Sequence, residues 1–183
     1  DDEMLGFWKT LESQYHVWIT PVKIDMQNED SVISSAKEIL TRKEAIWGIV
    51  NNAGITGENR LFAMTSQDEL RKVFQTNFFS PMLLTQKLLR NMIKNRKGSI
   101  VNISSVAALD GEPAQFAYVT SKASLVGATK KLSSELAAIG IRVNAVAPGM
   151  TNTGMIEQMQ EELKQKSLEN IPMKRLARPD EIA

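Results

Sequence analysis

The 183-residue chain contains no cysteine, which excludes disulfides, thiolate zinc sites and cysteine nucleophiles and fits a reducing compartment. It contains one histidine, His16, so a metal site built on several imidazoles is excluded too. No apolar stretch approaches the roughly 18 residues that would span a bilayer, and no signal peptide opens the chain. A net charge of +1 offers nucleic acid no electrostatic attraction. Repeats, low-complexity tracts and linkers are also missing, so one domain over 1–183 is expected, with the cytoplasm as its place. Glycine is scarce where a nucleotide-binding sheet needs it most. The first 50 residues hold only Gly6 and Gly48, and nowhere do a strand, a glycine-rich turn and a helix follow one another.

What is present is an alternation of helix and strand periodicities over a chain with 43% hydrophobic residues. That alternation predicts an α/β fold, a doubly wound parallel sheet between helical layers. Met4, Leu5, Trp8 and Leu11 mark a first amphipathic helix. Val17 to Ile24 reads as a strand, with Pro21 better suited to its end or to a sheet edge. Val32, Ile33, Ala36, Ile39 and Leu40 stripe a second helix, and Ile46 to Val50 forms the next strand. A long helical region from Ser66 to Met92 should bend at Pro81. A strand from Ser99, a helix from Phe116 to Ala138 and a strand from Ile141 complete the regular part. Three strands thus run into polar or glycine-bearing turns, at Asn51-Asn52-Ala53-Gly54, at Ser104-Ser105 and at Pro148-Gly149. Parallel strands bring such ends to one edge, where open α/β sheets carry their chemistry.

The helix from Phe116 carries Tyr118 and Lys122 four residues apart, which stacks a phenol and an ammonium on one face. Positive charge beside a phenol favours its ionised form, one way to build a general acid. A solvated surface contact would show the same spacing.

Asn51-Asn52-Ala53-Gly54, Asn77 within Thr76-Asn77-Phe78, the Ser105, Tyr118 and Lys122 set, and Pro148-Gly149 followed by Thr153 occur in a fixed order. In these motifs the chain, from about Val17 to its end, resembles the short-chain dehydrogenase/reductase family, a Rossmann-like fold. The resemblance implies that Tyr118 gives a proton to a carbonyl oxygen as hydride arrives from NADP or NAD. Ser105 would hydrogen-bond that oxygen, and Lys122 would lower the phenol pKa and hold the nicotinamide ribose. Asn77 would support a water leading from Lys122 to solvent, although a helix asparagine bonding its own backbone would look alike. Asp25 and Met26 would hold the adenine, a helix cap or turn carboxylate being the plainer role for Asp25. Asn52, Ala53 and Gly54 would line the ribose side, while Pro148, Gly149, Thr151 and Thr153 would wrap the nicotinamide end. Ser104 should point away from the site, because strand side chains alternate.

Asn152 to Met173 should form a flap over the substrate, with Met155, Ile156, Met159, Leu163 and Leu168 recurring at helical spacing. Such a stripe is also what lid packing requires. Residues 111–116 would form the other wall. The nearest likeness within the family is to bacterial 3-oxoacyl-acyl-carrier-protein reductases, which implies NADPH and an acyl-thioester substrate, and the family implies a homodimer or homotetramer built on the helices around Phe78, Phe79, Leu83 and Leu84, residues that core packing would explain equally well. Arg96 matches one of the two basic residues that dock the acidic carrier protein, and Ile139 stands where the other would be. Sugar-alcohol, steroid and small-ketone dehydrogenases share the same motifs. A protein that kept the fold only for binding is the alternative of another class, against which the intact Ser105, Tyr118 and Lys122 speak. The family's opening glycine motif and its last helix and strand have no counterpart, so the chain is expected to be an internal portion of a longer enzyme, incomplete at both ends. That puts phosphate binding and the choice between NAD and NADP in question.

Overall fold

The computed structural model describes residues 2–157 and 161–183. Its centre is a parallel sheet of three strands, β1 (Gly48–Asn51), β2 (Gly98–Ile103) and β3 (Ile141–Val146), ordered β1-β2-β3. Register places Ile49 beside Ile100 and Ile100 beside Val143, so these three apolar side chains share one face. Against that face pack Ala36 of α2 (Glu29–Thr41), Leu88 and Met92 of α4 (Ser80–Asn95), and Leu136 of α5 (Phe116–Leu136). This is the parallel sheet with flanking helices that the alternating periodicities predict. On the opposite face Val50 is 65% exposed and Val146 is also open.

Helix ends follow from local chemistry. Asn28 caps α2 by accepting from the amides of Asp30 and Ser31, and Glu29 and Asp30 meet the positive end of the helix dipole. Ser66 caps α3 (Gln67–Phe74) in the same way through the amide of Glu69. Helix α1 (Asp2–Tyr15) precedes them, and α6 (Gly154–Glu157) and α7 (Glu161–Asn170) follow β3.

Two expectations are corrected. Val17 to Ile24 is no strand. Val22, Ile24 and Met26 are half-buried and alternate with exposed Lys23 and Asp25, as a pleat would have them, but no described segment runs alongside to accept ladder bonds. The Ser35 hydroxyl takes the Lys23 carbonyl instead. Second, the region from Ser66 to Met92 is not one bent helix: a π-helical segment, Gln75–Phe79, separates α3 from α4. Pro81, in the first turn of α4, has no N–H to give to the carbonyl of Asn77 four residues back, which favours the wider turn there. The segment expected as a flap, Asn152 to Met173, carries helix over Gly154–Glu157 and Glu161–Asn170; Met159 lies outside the described residues.

Candidate active site

Because the three strands are parallel, their carboxyl ends open on one edge, and the loops that follow are bound to one another. The amide of Ser104 reaches the Val146 carbonyl at 2.8 Å and that of Val106 reaches the Pro148 carbonyl at 2.9 Å. Helix α5 enters from this edge after two successive residues with positive φ, Ala114 at 77° and Gln115 at 53°. Such backbone costs about 1–3 kcal/mol per residue and concentrates at functional sites. It leads into the helix whose Lys122 meets the end of β2 and whose Ser121 meets Asn77.

Lys122 is 4% exposed, and its ammonium gives one hydrogen bond to the carbonyl of Ile103, the last residue of β2, at 2.7 Å. Burial pushes its pKa below the usual lysine range. The same nitrogen lies 5.9 Å from the centre of the Tyr118 ring. The helix spacing therefore sets a buried ammonium 5.9 Å from the centre of the Tyr118 ring at the sheet edge. Ser104 turns away, as expected, and its hydroxyl bonds the Lys122 carbonyl at 2.8 Å. Ser105 is half-buried at the start of the next turn, where its oxygen accepts from the Ala107 amide at 3.3 Å.

Asn77 is fully buried in the π segment and bonds another loop rather than its own backbone. Its side-chain amide donates to the Ile55 carbonyl at 2.9 Å, and its oxygen accepts from the Ile55 amide at 2.8 Å. It also donates to the hydroxyl of Ser121 at 2.9 Å, and Ser121 in turn donates to the Tyr118 carbonyl at 2.7 Å. Helix spacing alone gave no sign of Ser121, which links the loop after β1 to the Tyr118 turn. Asn51 and Asn102 were equally silent as site supports. Paired in register, they bond at 2.8 Å and reach Thr85 of α4 at 3.0 Å and Thr129 of α5 at 2.8 Å. Polar residues at core-facing positions of two apolar strands were the available signal, since buried amides must find partners.

Asn52, Ala53 and Gly54 follow β1 directly, and Gly54 faces Lys122. A Cβ on Gly54 would sit 3.2 Å from the Lys122 nitrogen and 3.5 Å from the Asn77 oxygen, so a side chain would crowd the recess. Lys122 has two further N–H donors beside this recess. An ammonium donor next to a side-chain-free loop fits the vicinal hydroxyls of a ribose. Asp25 lies in a turn, its carboxylate accepting the Gln27 amide at 2.9 Å, while Asn28 is the cap of α2. Met26 follows it, its carbonyl held from α4. Pro148 and Gly149 lead out of β3. The Thr151 hydroxyl bonds the Gly149 carbonyl at 3.1 Å, and that of Thr153 bonds the Thr151 carbonyl at 3.4 Å.

Arg96 ends α4 in a left-handed conformation and is exposed at the amino edge of the sheet. Six residues of β2 separate it from the site edge, about 20 Å at the usual rise per strand residue. Ile139 packs against the core. Among the described residues no helix is long and apolar enough to cross a membrane, and no three acidic or histidine side chains could hold a metal ion.

The family described as short chain dehydrogenase matches residues 3–164. The 3-oxoacyl-acyl-carrier-protein reductase FabG of Aquifex aeolicus is 42% identical over 173 residues, covering 94% of this chain and 69% of that protein. Its namesake in Chlamydia trachomatis is 37% identical over 175 residues, covering 96% of this chain and 70% of that protein. Among solved structures, NAD+-bound xylitol dehydrogenase superposes with a TM-score of 0.85 at 25% identity, over 96% of this chain and 75% of its own.

Proposed function

The chain belongs to the short chain dehydrogenase family, and on that footing we propose that it is an NAD(P)-dependent oxidoreductase reducing the 3-oxo group of an acyl thioester. The observation that carries this is the meeting of Tyr118 and a buried Lys122 beside the Ser105 turn and the Gly54 loop.

When bound, a reduced nicotinamide would supply the hydride. Tyr118 gives its hydroxyl proton to the substrate carbonyl oxygen and recovers it in the reverse direction. Ser105 donates a hydrogen bond to the same oxygen, a kind of contact that costs about 2.7–4 kcal/mol of barrier to remove elsewhere. Lys122 stabilises the negative charge left on the phenol oxygen and offers its free N–H groups to the ribose hydroxyls. Asn77 holds the Ile55 loop in place and supports a water path from Lys122. Asn52, Ala53, Gly54, Pro148, Gly149, Thr151 and Thr153 form the ribose and nicotinamide walls, with Asp25 and Met26 at the adenine end.

The likeness to 3-oxoacyl reductases supports NADPH and an acyl-carrier thioester. Arg96 offers one basic group to the carrier, and Ile139 offers none. The xylitol dehydrogenase superposition favours a second substrate class, a sugar alcohol. A dimer or tetramer packed through the π segment and the start of α4 suits exposed Phe79. Two assays separate these outcomes: oxidation of NADPH or NADH by an acetoacetyl thioester, and reduction of NADP+ or NAD+ by xylitol. Tyr118→Phe should cut turnover about a thousandfold while cofactor binding persists, and Arg96→Ala should raise KM only when the thioester is on a carrier protein. Unchanged turnover in Tyr118→Phe would refute the catalytic assignment.

A further inference from the structure

We propose that Ser80 and Gln75 are positioning residues for the adenine end of the cofactor, acting through the carbonyl of Met26; this rests on the NAD(P)-dependent function proposed above. In an α-helix, residues five apart lie on different faces. In the π segment the amide of Ser80 bonds the carbonyl of Gln75, which brings residues 75 and 80 roughly into line. Gln75 Nε2 can therefore donate to Ser80 Oγ, at 2.9 Å. With one lone pair so engaged, the Ser80 hydroxyl directs its proton to the Met26 carbonyl, at 2.6 Å. Ser80 is 0% exposed, and in a buried chain of this kind each bond polarises the next.

The turn carrying Met26 is otherwise held from within and from α2. Gln27 donates to the Asp25 carboxylate at 2.9 Å, Asp25 donates to the Ser31 hydroxyl at 2.9 Å, and Asn28 donates to the Asp25 carbonyl at 3.1 Å. The Ser80 bond joins this turn to α4. Three residues before Ser80, Asn77 grips Ile55 through both its amide groups. One π turn therefore holds the two loops assigned to opposite ends of the dinucleotide, and a rigid helical segment sets the distance between them. Losing Ser80 should loosen the adenine end and leave the Tyr118 chemistry intact.

Ser80→Ala tests this with two readouts. In the cofactor-free protein, amide hydrogen exchange at Asp25 and Asn28 should quicken about fivefold, the size of one net hydrogen bond, while exchange at Ile55 stays unchanged. In steady state, KM for NADPH or NADH should rise about fivefold at constant kcat, and KM for reduced nicotinamide mononucleotide, which lacks the adenylate, should not move. A merely structural serine would shift kcat and both KM values together, and that pattern overturns the proposal. Unchanged exchange with unchanged KM overturns it as well. Gln75→Leu removes the aiming donor but keeps the Ser80 hydroxyl; it should show the same pattern at smaller size and decides the matter if Ser80→Ala does not fold. Absence of turnover with either cofactor in the unsubstituted protein would overturn the oxidoreductase function, whereas turnover with unchanged cofactor KM in Ser80→Ala overturns this inference alone.

Discussion

Burying an ammonium is costly, and Lys122 is 4% exposed with a single carbonyl acceptor among the described residues. Desolvation holds its folded pKa below 10.5, so between the two values the unfolded chain binds the proton and the folded chain does not. Stability therefore rises with pH across the window just below 10.5. Lys122→Met keeps the length and removes the charge. It should leave the midpoint of thermal unfolding unchanged or higher, flatten that alkaline rise, and abolish cofactor binding; a fall of more than about 5 °C, of order 1–2 kcal/mol in a chain of this size, would contradict the account. The Tyr118 and Lys122 spacing was legible because helix periodicity is local. Ser121 was not, because a serine on a helix face carries no pattern until its partner, Asn77 in a distant segment, is known.

At the scale of elements, α4 passes to β2 and α5 to β3 through turns that touch. Gly140 has φ of 87°, and a Cβ there would lie 2.6 Å from the Arg96 carbonyl oxygen. Gly140→Ala should cost about 1–3 kcal/mol, combining left-handed backbone with a backbone clash, and lower the unfolding midpoint by several degrees. A midpoint within 1 °C of the parent would show that the two turns are not held together. Helices α2 and α5 and all three strands were readable from apolar spacing and the alternation of periods. The segment from Val17 to Ile24 has the composition and alternation of a strand, yet ladder bonds need a neighbour and alternation does not supply one. The π segment escaped for a related reason: one extra residue in a turn leaves the apolar period on either side intact and shows only in where Asn77 and Ser80 point.

Over the whole molecule, the last described residues are tied to the site edge. The amide of Asn152 bonds the Ala177 carbonyl at 2.8 Å, and the Ala177 amide bonds the Met150 carbonyl at 3.0 Å. Arg175 and Arg178 flank Ala177 and share one clamp: Arg175 forks onto Glu181 at 2.7 and 2.8 Å, and Glu181 also accepts from the Arg178 amide at 2.8 Å. These bonds, the Arg175 pair first, push the Glu181 pKa down to about 2 from 4.5. Its contribution is fully present above 4.5 and is lost as pH falls from there towards 2. A carboxyl titration followed by NMR should find the Glu181 midpoint near 2 in the folded protein, and Glu181→Gln should speed exchange at Asn152 and Ala177. A midpoint near 4.5 would refute the clamp. The sequence by itself determined the alternating α/β order, the three strand ends and the identity of the chemical groups, because propensity, period and motif order are all carried along the chain. Only the tertiary structure decided which hydroxyl aims at which carbonyl, that Asn51 and Asn102 pair within the core, and that the π turn grips two loops at once. Each of those depends on groups far apart in sequence meeting at hydrogen-bond distance, which no local pattern encodes.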